Sequence, residues 1–205
     1  VMDDVKPVAI KIGMVNDCAT IHAIADSLSF YSPSKLVVDP VMVSTSGSML
    51  MQRDALEVFC SELLPMATLL TPNIPEAEVL SKTEIQTVDD MDVAAKRILA
   101  MGCKAVLIKG GHLEGNKKID KLYLNDGTVH TFVHATINTR NTHGTGCTLS
   151  SAIASFMARG LDLPNAIAHA KEYLSQALEA GKDVEIGEGN GPVCHLFNPE
   201  KTIIL

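Results

Sequence analysis

Four short apolar runs, each stopped by a glycine, a polar residue or a carboxylate and the first three followed by helical spacing, constrain this chain's fold more than any other feature. Residues 8–13 (V-A-I-K-I-G) read as a strand, and residues 19–30 follow as a helix with Ile21, Ile24, Ala25 and Leu28 on one face. Residues 36–38 repeat the strand signal and stop at Asp39-Pro40, and a helix over 53–64 carries Leu56, Phe59, Cys60 and Leu63 on one side. The third strand, residues 67–70, ends at Thr71-Pro72-Asn73, where Pro75 suits the opening of a short helix over 76–80. A helix over 87–101 starts with a hydroxyl and acidic residues, stops at Gly102, and leads to a fourth strand at 105–108. Strand and helix repeated in this order imply right-handed crossovers and a mainly parallel sheet with helices on both faces.

The rest of the chain completes that plan. Residues 113–118 are polar and read as a mobile loop, and Asn125-Asp126-Gly127 between two apolar runs, 119–124 and 128–134, signals an antiparallel hairpin. Helices are expected from Gly144 to Arg159-Gly160 and over 164–180, before a glycine-rich tail at 187–192 (G-E-G-N-G-P). No repeat or linker interrupts the 205 residues, so residues 1–205 read as a single domain. Its first strand comes almost at once, with little ahead of it to cover the strand's other side.

Composition narrows the function classes. A hydrophobic fraction of 46% with 20% charged residues is that of a globular protein, and a net charge of -7 argues against nucleic acid or anionic membrane as a partner. The five cysteines (Cys18, Cys60, Cys103, Cys147, Cys194) form no C-x-x-C pair, so neither a disulfide framework nor a zinc ribbon is suggested, and a reducing, cytoplasmic setting fits best. No apolar run approaches the roughly 18 residues of a membrane span.

In an open parallel sheet, ligands bind beyond the carboxyl ends of the strands. The strand ends here carry Met14, then Asp39, then Asn73 with Glu76, then Lys109 with Gly110 and Gly111. To the same edge belongs T-H-G-T-G-C-T-L-S at 142–150, in which Gly144, Thr145, Gly146 and Cys147 form the loop and first turn of an apolar helix. Such a turn offers unpaired backbone N–H groups and the positive end of the helix dipole to an anion, and the same field favours an anionic sulfur at Cys147. The alternative at this position is a buried helix cysteine after an ordinary turn. Lys109 is a point charge for phosphate oxygens, and Asp39, Asn73 and Glu76 offer oxygens to Mg²⁺. For Asn73 and Glu76, three apart at a helix start, a plain N-cap is the equal alternative. The set suits phosphoryl transfer, with Cys147 as the candidate base for a substrate hydroxyl. His112 and His143 are polar loop histidines that read equally well as structural. A Walker A motif, C-x5-R and H-E-x-x-H are all absent from the sequence.

The pattern resembles the hydroxymethylpyrimidine and phosphomethylpyrimidine kinases of thiamin biosynthesis, in the ribokinase-like superfamily. The matching pieces are K-I-G-M (11–14), V-D-P-V-M (38–42) with T-S-G (45–47), T-P-N-I-P-E-A-E (71–78), K-G-G-H (109–112), T-H-G-T-G-C-T-L-S (142–150) and G-x-G-x-G-P-V (187–193). Many relatives, including sugar kinases and many pyridoxal kinases, have aspartate where this chain has Cys147. The resemblance implies a three-layer α/β/α ribokinase-like fold with a mainly parallel sheet and an antiparallel hairpin. It implies Cys147 as catalytic base, Gly144, Thr145, Gly146 and Cys147 as anion hole, and Asp39, Asn73, Glu76, Lys109, Gly110 and Gly111 at the Mg-ATP phosphates. Asp39 and Glu76 would be the residues toward the metal, and Met14 with Cys147 would meet the pyrimidine. ATP and Mg²⁺ are the expected cofactors, and a homodimer the expected assembly.

One departure stands out. Family members usually begin with a further strand and a G-S-D-S-G-G-G-A-G-I-Q-A-D segment that supplies much of the substrate pocket, and nothing here matches it, so a fragment is expected. The expected reaction is ATP-dependent phosphorylation of 4-amino-5-hydroxymethyl-2-methylpyrimidine and of its monophosphate. The rivals are a pyridoxine or pyridoxal kinase, a truncated inactive nucleotide-binding module, and a Cys-His hydrolase using Cys147 with His143.

Overall fold

The computed structural model describes residues 1–42, 50–112 and 117–199, leaving aside the side chains of His112 and Lys117. The T-S-G piece at 45–47 and residues 113–116 of the expected polar loop lie outside the described residues.

Four parallel strands come first: β1 (Ile10–Ile12), β2 (Leu36–Val38), β3 (Leu69–Leu70) and β4 (Ala105–Ile108). Two antiparallel strands, β5 (Lys117–Leu124) and β6 (Val129–Ala135), extend the sheet, and the spatial order is the chain order from β1 to β6. That order has a physical consequence. Right-handed crossovers between successive neighbours put every crossover helix on one face. Accordingly α1 (Cys18–Tyr31), α2 (Arg53–Val58), α3 (Ile74–Ser81) and α4 (Asp90–Leu99) share one core with Ile12, Leu36, Val38, Leu70, Val106 and Ile108. The opposite face is left to the helices that follow the hairpin, α5 (Thr145–Ala158) and α6 (Leu163–Gly181). They pack on the alternate strand residues Val37, Leu69, Ala105, Leu107 and Leu122. Both faces of each central strand are therefore apolar, the pattern of a three-layer α/β/α sandwich.

Two helices differ from the sequence expectation. The helix expected over 53–64 is α-helical only to Val58, widens to a π-turn over Phe59–Leu63 and closes as a 3-10 turn over Leu64–Met66. Pro65 has no N–H to give and crowds the carbonyl four residues back, while the Ser61 hydroxyl donates to the Glu57 carbonyl at 3.0 Å. The helix expected from Thr87 begins at Asp90, because the Asp90 carboxylate accepts from the amides of Gln86 (3.1 Å) and Thr87 (2.8 Å) and holds them in a turn ahead of it.

Beside β1 an open cavity of about 710 Å³ is lined by Ile10, Ile12, Ile24, Leu28 and Tyr31 among others. None of the candidate site residues lines it.

Candidate functional site

The carboxyl ends of β2 and β3 are level, with Val38 beside Leu70 and Leu70 beside Val106, β4 continues to Ile108, and polar residues following these ends meet. Asp39 comes directly after β2 and is 1% exposed. Its Oδ1 accepts from the Thr71 hydroxyl at 2.9 Å and from Lys109 Nζ at 2.9 Å, and its Oδ2 lies 3.2 Å from the Ser150 hydroxyl. Thr71 is brought there by its own amide, which continues the β2–β3 ladder by donating to Val38 O at 3.0 Å. Lys109 is placed the same way, its amide donating to Pro72 O at 2.9 Å beside the Asn73–Lys109 bridge. A buried carboxylate is costly unless paired and hydrogen-bonded, and Asp39 is both.

The glycine-rich turn joins this cluster from the other layer. Gly144 caps α5 with φ +86°, a conformation that disfavours any side chain, and no side chain caps the amides that follow. A methyl group on Gly146 would stand 3.5 Å from Lys109 Nζ and 3.8 Å from Asp39 Oδ2. Lys109, Asp39 and the first turn of α5 thus surround one small volume. The start of α5, whose Thr145 amide donates to the Thr142 carbonyl at 3.3 Å, is thereby close to an ammonium. Cys147 is exposed at this turn, so the reading of it as a buried helix cysteine is overturned. Among the described residues no hydrogen bond joins Cys147 to His143. The His143 backbone instead bridges to the tail, its amide donating to Gly191 O at 3.0 Å and its carbonyl accepting from Val193 at 3.3 Å.

Asn73 and Glu76 form a reciprocal capping box at the start of α3. Glu76 N–H donates to Asn73 Oδ1 at 2.9 Å and Asn73 N–H to Glu76 Oε2 at 2.8 Å, so the N-cap reading holds for both. Glu76 is nonetheless more than a cap. Burial pushes its carboxyl up to about 7, against the lowering effect of the Lys109 charge and the Asn73 amide, with Asp39 adding a further push upward. Glu76, Lys109 and Asp39 therefore form one electrostatic unit. Among the described residues no three His, Cys, Asp or Glu side chains are gathered to hold a metal ion by themselves. The hard carboxylate oxygens of Asp39 and Glu76 suit Mg²⁺ only where phosphate oxygens and water complete the shell.

Gly110 and Gly111 follow as a 3-10 turn with His112. Gly110 must be glycine, since a Cβ there would stand 1.9 Å from Ile119 O. Met14 is 60% exposed in the segment after β1, at the same sheet edge but outside the cluster of Asp39 bonds.

Several residues of the site were missed at the sequence level. Thr71 and Ser150 clamp Asp39, and Ser150 could have been found as the residue one helical turn after Gly146. Asn141, 3% exposed, ties the loop to the tail through Gly181, Val184 and Gly191. No local pattern announces it.

Comparison with known proteins bears on the family. The family model described as phosphomethylpyrimidine kinase matches residues 1–194. A hydroxymethylpyrimidine/phosphomethylpyrimidine kinase of Rhizobium meliloti (strain 1021) is 45% identical over 197 residues, covering 95% of this chain and 73% of the relative. The crystal structure of a phosphomethylpyrimidine kinase from Clostridium difficile 630 superposes with a TM-score of 0.76 at 41% identity, over 87% of this chain and 72% of that one. A pyridoxal kinase from Staphylococcus aureus, solved in complex with ADP, gives a TM-score of 0.84 at 31% identity, over 92% of this chain and 68% of its own. With the match to the family model running through nearly the whole chain, this protein belongs to the phosphomethylpyrimidine kinase family.

Proposed function

We propose that this chain transfers the γ-phosphoryl group of ATP to the hydroxymethyl oxygen of 4-amino-5-hydroxymethyl-2-methylpyrimidine, and in a second turnover to the phosphate of the resulting monophosphate. The observation that carries the reading is the meeting of Lys109, Asp39 and the first turn of α5 around one volume. In the first transfer the Cys147 sulfur takes the hydroxyl proton as the substrate oxygen bonds to the γ-phosphorus. The bond from that phosphorus to the β–γ bridging oxygen breaks, and ADP leaves. Charge on the γ-phosphoryl oxygens is met by the amides of Gly144, Thr145, Gly146 and Cys147 and by the Lys109 ammonium. Asp39 and Glu76 are the residues toward Mg²⁺, which when bound neutralises charge on the β- and γ-phosphates.

The pyrimidine is favoured by the Rhizobium and Clostridium relatives, both named as phosphomethylpyrimidine kinases, and by Cys147 in place of an aspartate. The likeness to the Staphylococcus pyridoxal kinase keeps a second reading, a pyridoxine or pyridoxal kinase. Both substrates are flat heteroaromatics with a hydroxymethyl group. Incubation with Mg-ATP and each alcohol separates them: phosphorylation of the pyrimidine is expected, and turnover of pyridoxine alone overturns the first reading. A homodimer in a reducing, cytoplasmic setting is part of the proposal. No helix among the described residues is long and apolar enough to cross a membrane. Sedimentation at twice the chain mass is expected.

A further inference from the structure

Behind the K-G-G turn lies an ion pair that the transfer step does not use. Asp120 on β5 is 4% exposed and Lys171 on α6 is 8% exposed, and the Lys171 ammonium donates to Asp120 Oδ2. The other oxygen, Oδ1, accepts from the Gly110 amide at 2.8 Å in a fully buried bond. A buried pair of this kind costs desolvation on both charges, and apolar residues of equal volume often serve stability as well or better. Filling space therefore does not account for it. Its geometry does: one carboxylate is locked by α6 on one side and grips the backbone of the residue after Lys109 on the other.

The next residue back along β5 works on the same point. Ile119 O lies so close to Gly110 that a Cβ would stand 1.9 Å away, so the turn is pressed against β5 as well as bonded to it. Lys109 is thereby held from both sides, by the Pro72 carbonyl at its own amide and by β5 at the amide that follows.

We propose that Asp120, locked by Lys171, is a positioning residue for phosphoryl transfer, fixing the Gly110 amide and so the direction in which Lys109 projects toward Asp39 and the α5 turn. The inference rests on the reading of Lys109 as a phosphate contact. Misplacing a contact of this kind by an ångström weakens transition-state stabilisation far more than ground-state binding.

The test uses neutral pairs, which leave no buried charge behind. Asp120→Asn with Lys171→Met keeps an acceptor for Gly110 but not its lock, and kcat/KM for ATP is expected to fall about threefold. Asp120→Ala with Lys171→Met removes the acceptor, and the expected fall is at least tenfold, with KM for the alcohol unchanged. In a Lys109→Ala background the same changes are expected to add less than twofold, which a merely structural role would not produce. Wild-type kcat/KM in the neutral pairs, or equal losses in both backgrounds, overturns the proposal. Should the alanine pair not fold, the threefold fall of the asparagine pair and its dependence on Lys109 decide. Amide exchange at Gly110 gives an independent readout. Protection is expected in the wild type and in Lys109→Ala but not in the alanine pair, and unchanged protection in the alanine pair overturns the anchor. Full activity of Lys109→Ala with Gly110 still protected through Asp120 would count against the phosphate role of Lys109 and leave the anchor standing.

Discussion

Lys109 Nζ and Asp39 Oδ1 meet at 2.9 Å although they extend β4 and β2, strands separated by the whole of β3. The contact spans two inter-strand spacings, and it is possible because both side chains lean over the end of β3, where Thr71 fills the gap and donates to the same Oδ1. The pair is largely buried, with side chains 15% and 2% exposed. Replacing Lys109 with Met leaves the Asp39 charge with only hydroxyl partners, and a loss of about 3 kcal/mol is expected. Asp39→Asn in the same chain should return most of that stability without returning activity. Thermal melts of the single and double variants check the first statement, and phosphoryl-transfer assays the second.

Cys147 offers a cleaner separation of chemistry from folding. It is exposed, so Cys147→Ala should change stability by less than about 0.5 kcal/mol. Loss of the base should lower kcat by roughly 10² or more while ATP affinity stays within about twofold. Cys147→Asp puts a carboxylate in the first turn of α5, where the helix field favours it, and should retain more turnover than alanine. A Cys147→Ala enzyme with wild-type kcat would remove the base assignment.

What could be read from the sequence was what depends on short range. Strand ends followed from glycine and Asp-Pro punctuation, the hairpin from Asn-Asp-Gly, and the start of α5 from glycines before an apolar helix. Asp39, Lys109 and Gly146 could be named because strand ends in a parallel sheet must share an edge. Illegible were contacts set by register and by packing across layers. Thr71 and Ser150 are ordinary hydroxyls until β2, β3 and α5 are superposed, and Asp120 meets Lys171 across 51 residues. The π-turn at Phe59–Leu63 was hidden because its apolar spacing also fits an α-helix.

Glu76 should make the ligand-free protein sensitive to pH. Its folded carboxyl titrates at about 7 against 4.5 for the free group, so the folded state prefers the protonated form. The associated stability is fully present below about pH 4.5 and is lost as pH rises through about 7, a change of about 3 kcal/mol. Glu76→Gln can still accept the Asn73 amide but cannot ionise. Melting curves at pH 5 and pH 8 should therefore diverge, with the variant gaining on the wild type at the higher pH. Parallel behaviour of the two proteins would show that Glu76 does not ionise in this window.

Asn141 couples the Gly144–Cys147 turn to the tail, and its three side-chain bonds predict what its loss does. Nδ2 donates to Gly181 O at 2.7 Å and Val184 O at 2.6 Å, while Oδ1 accepts from the Gly191 amide at 3.1 Å. Two residues on, the His143 backbone pairs with Gly191 and Val193, and farther along the Thr148 hydroxyl lies 2.9 Å from His195 Nε2. The tail is thus stitched to the turn at both ends, with Asn141 as the buried stitch. Asn141→Ala would strand a buried amide and carbonyl, at a cost of about 3 kcal/mol. Asn141→Asp should be worse for the tail, because a carboxylate offers no donor to two carbonyls. In both variants proteolysis within 182–190 should accelerate before global melting, and kcat should fall as the Gly144–Cys147 turn loses its support. Unchanged proteolysis with unchanged kcat would mean that the tail holds its place without Asn141.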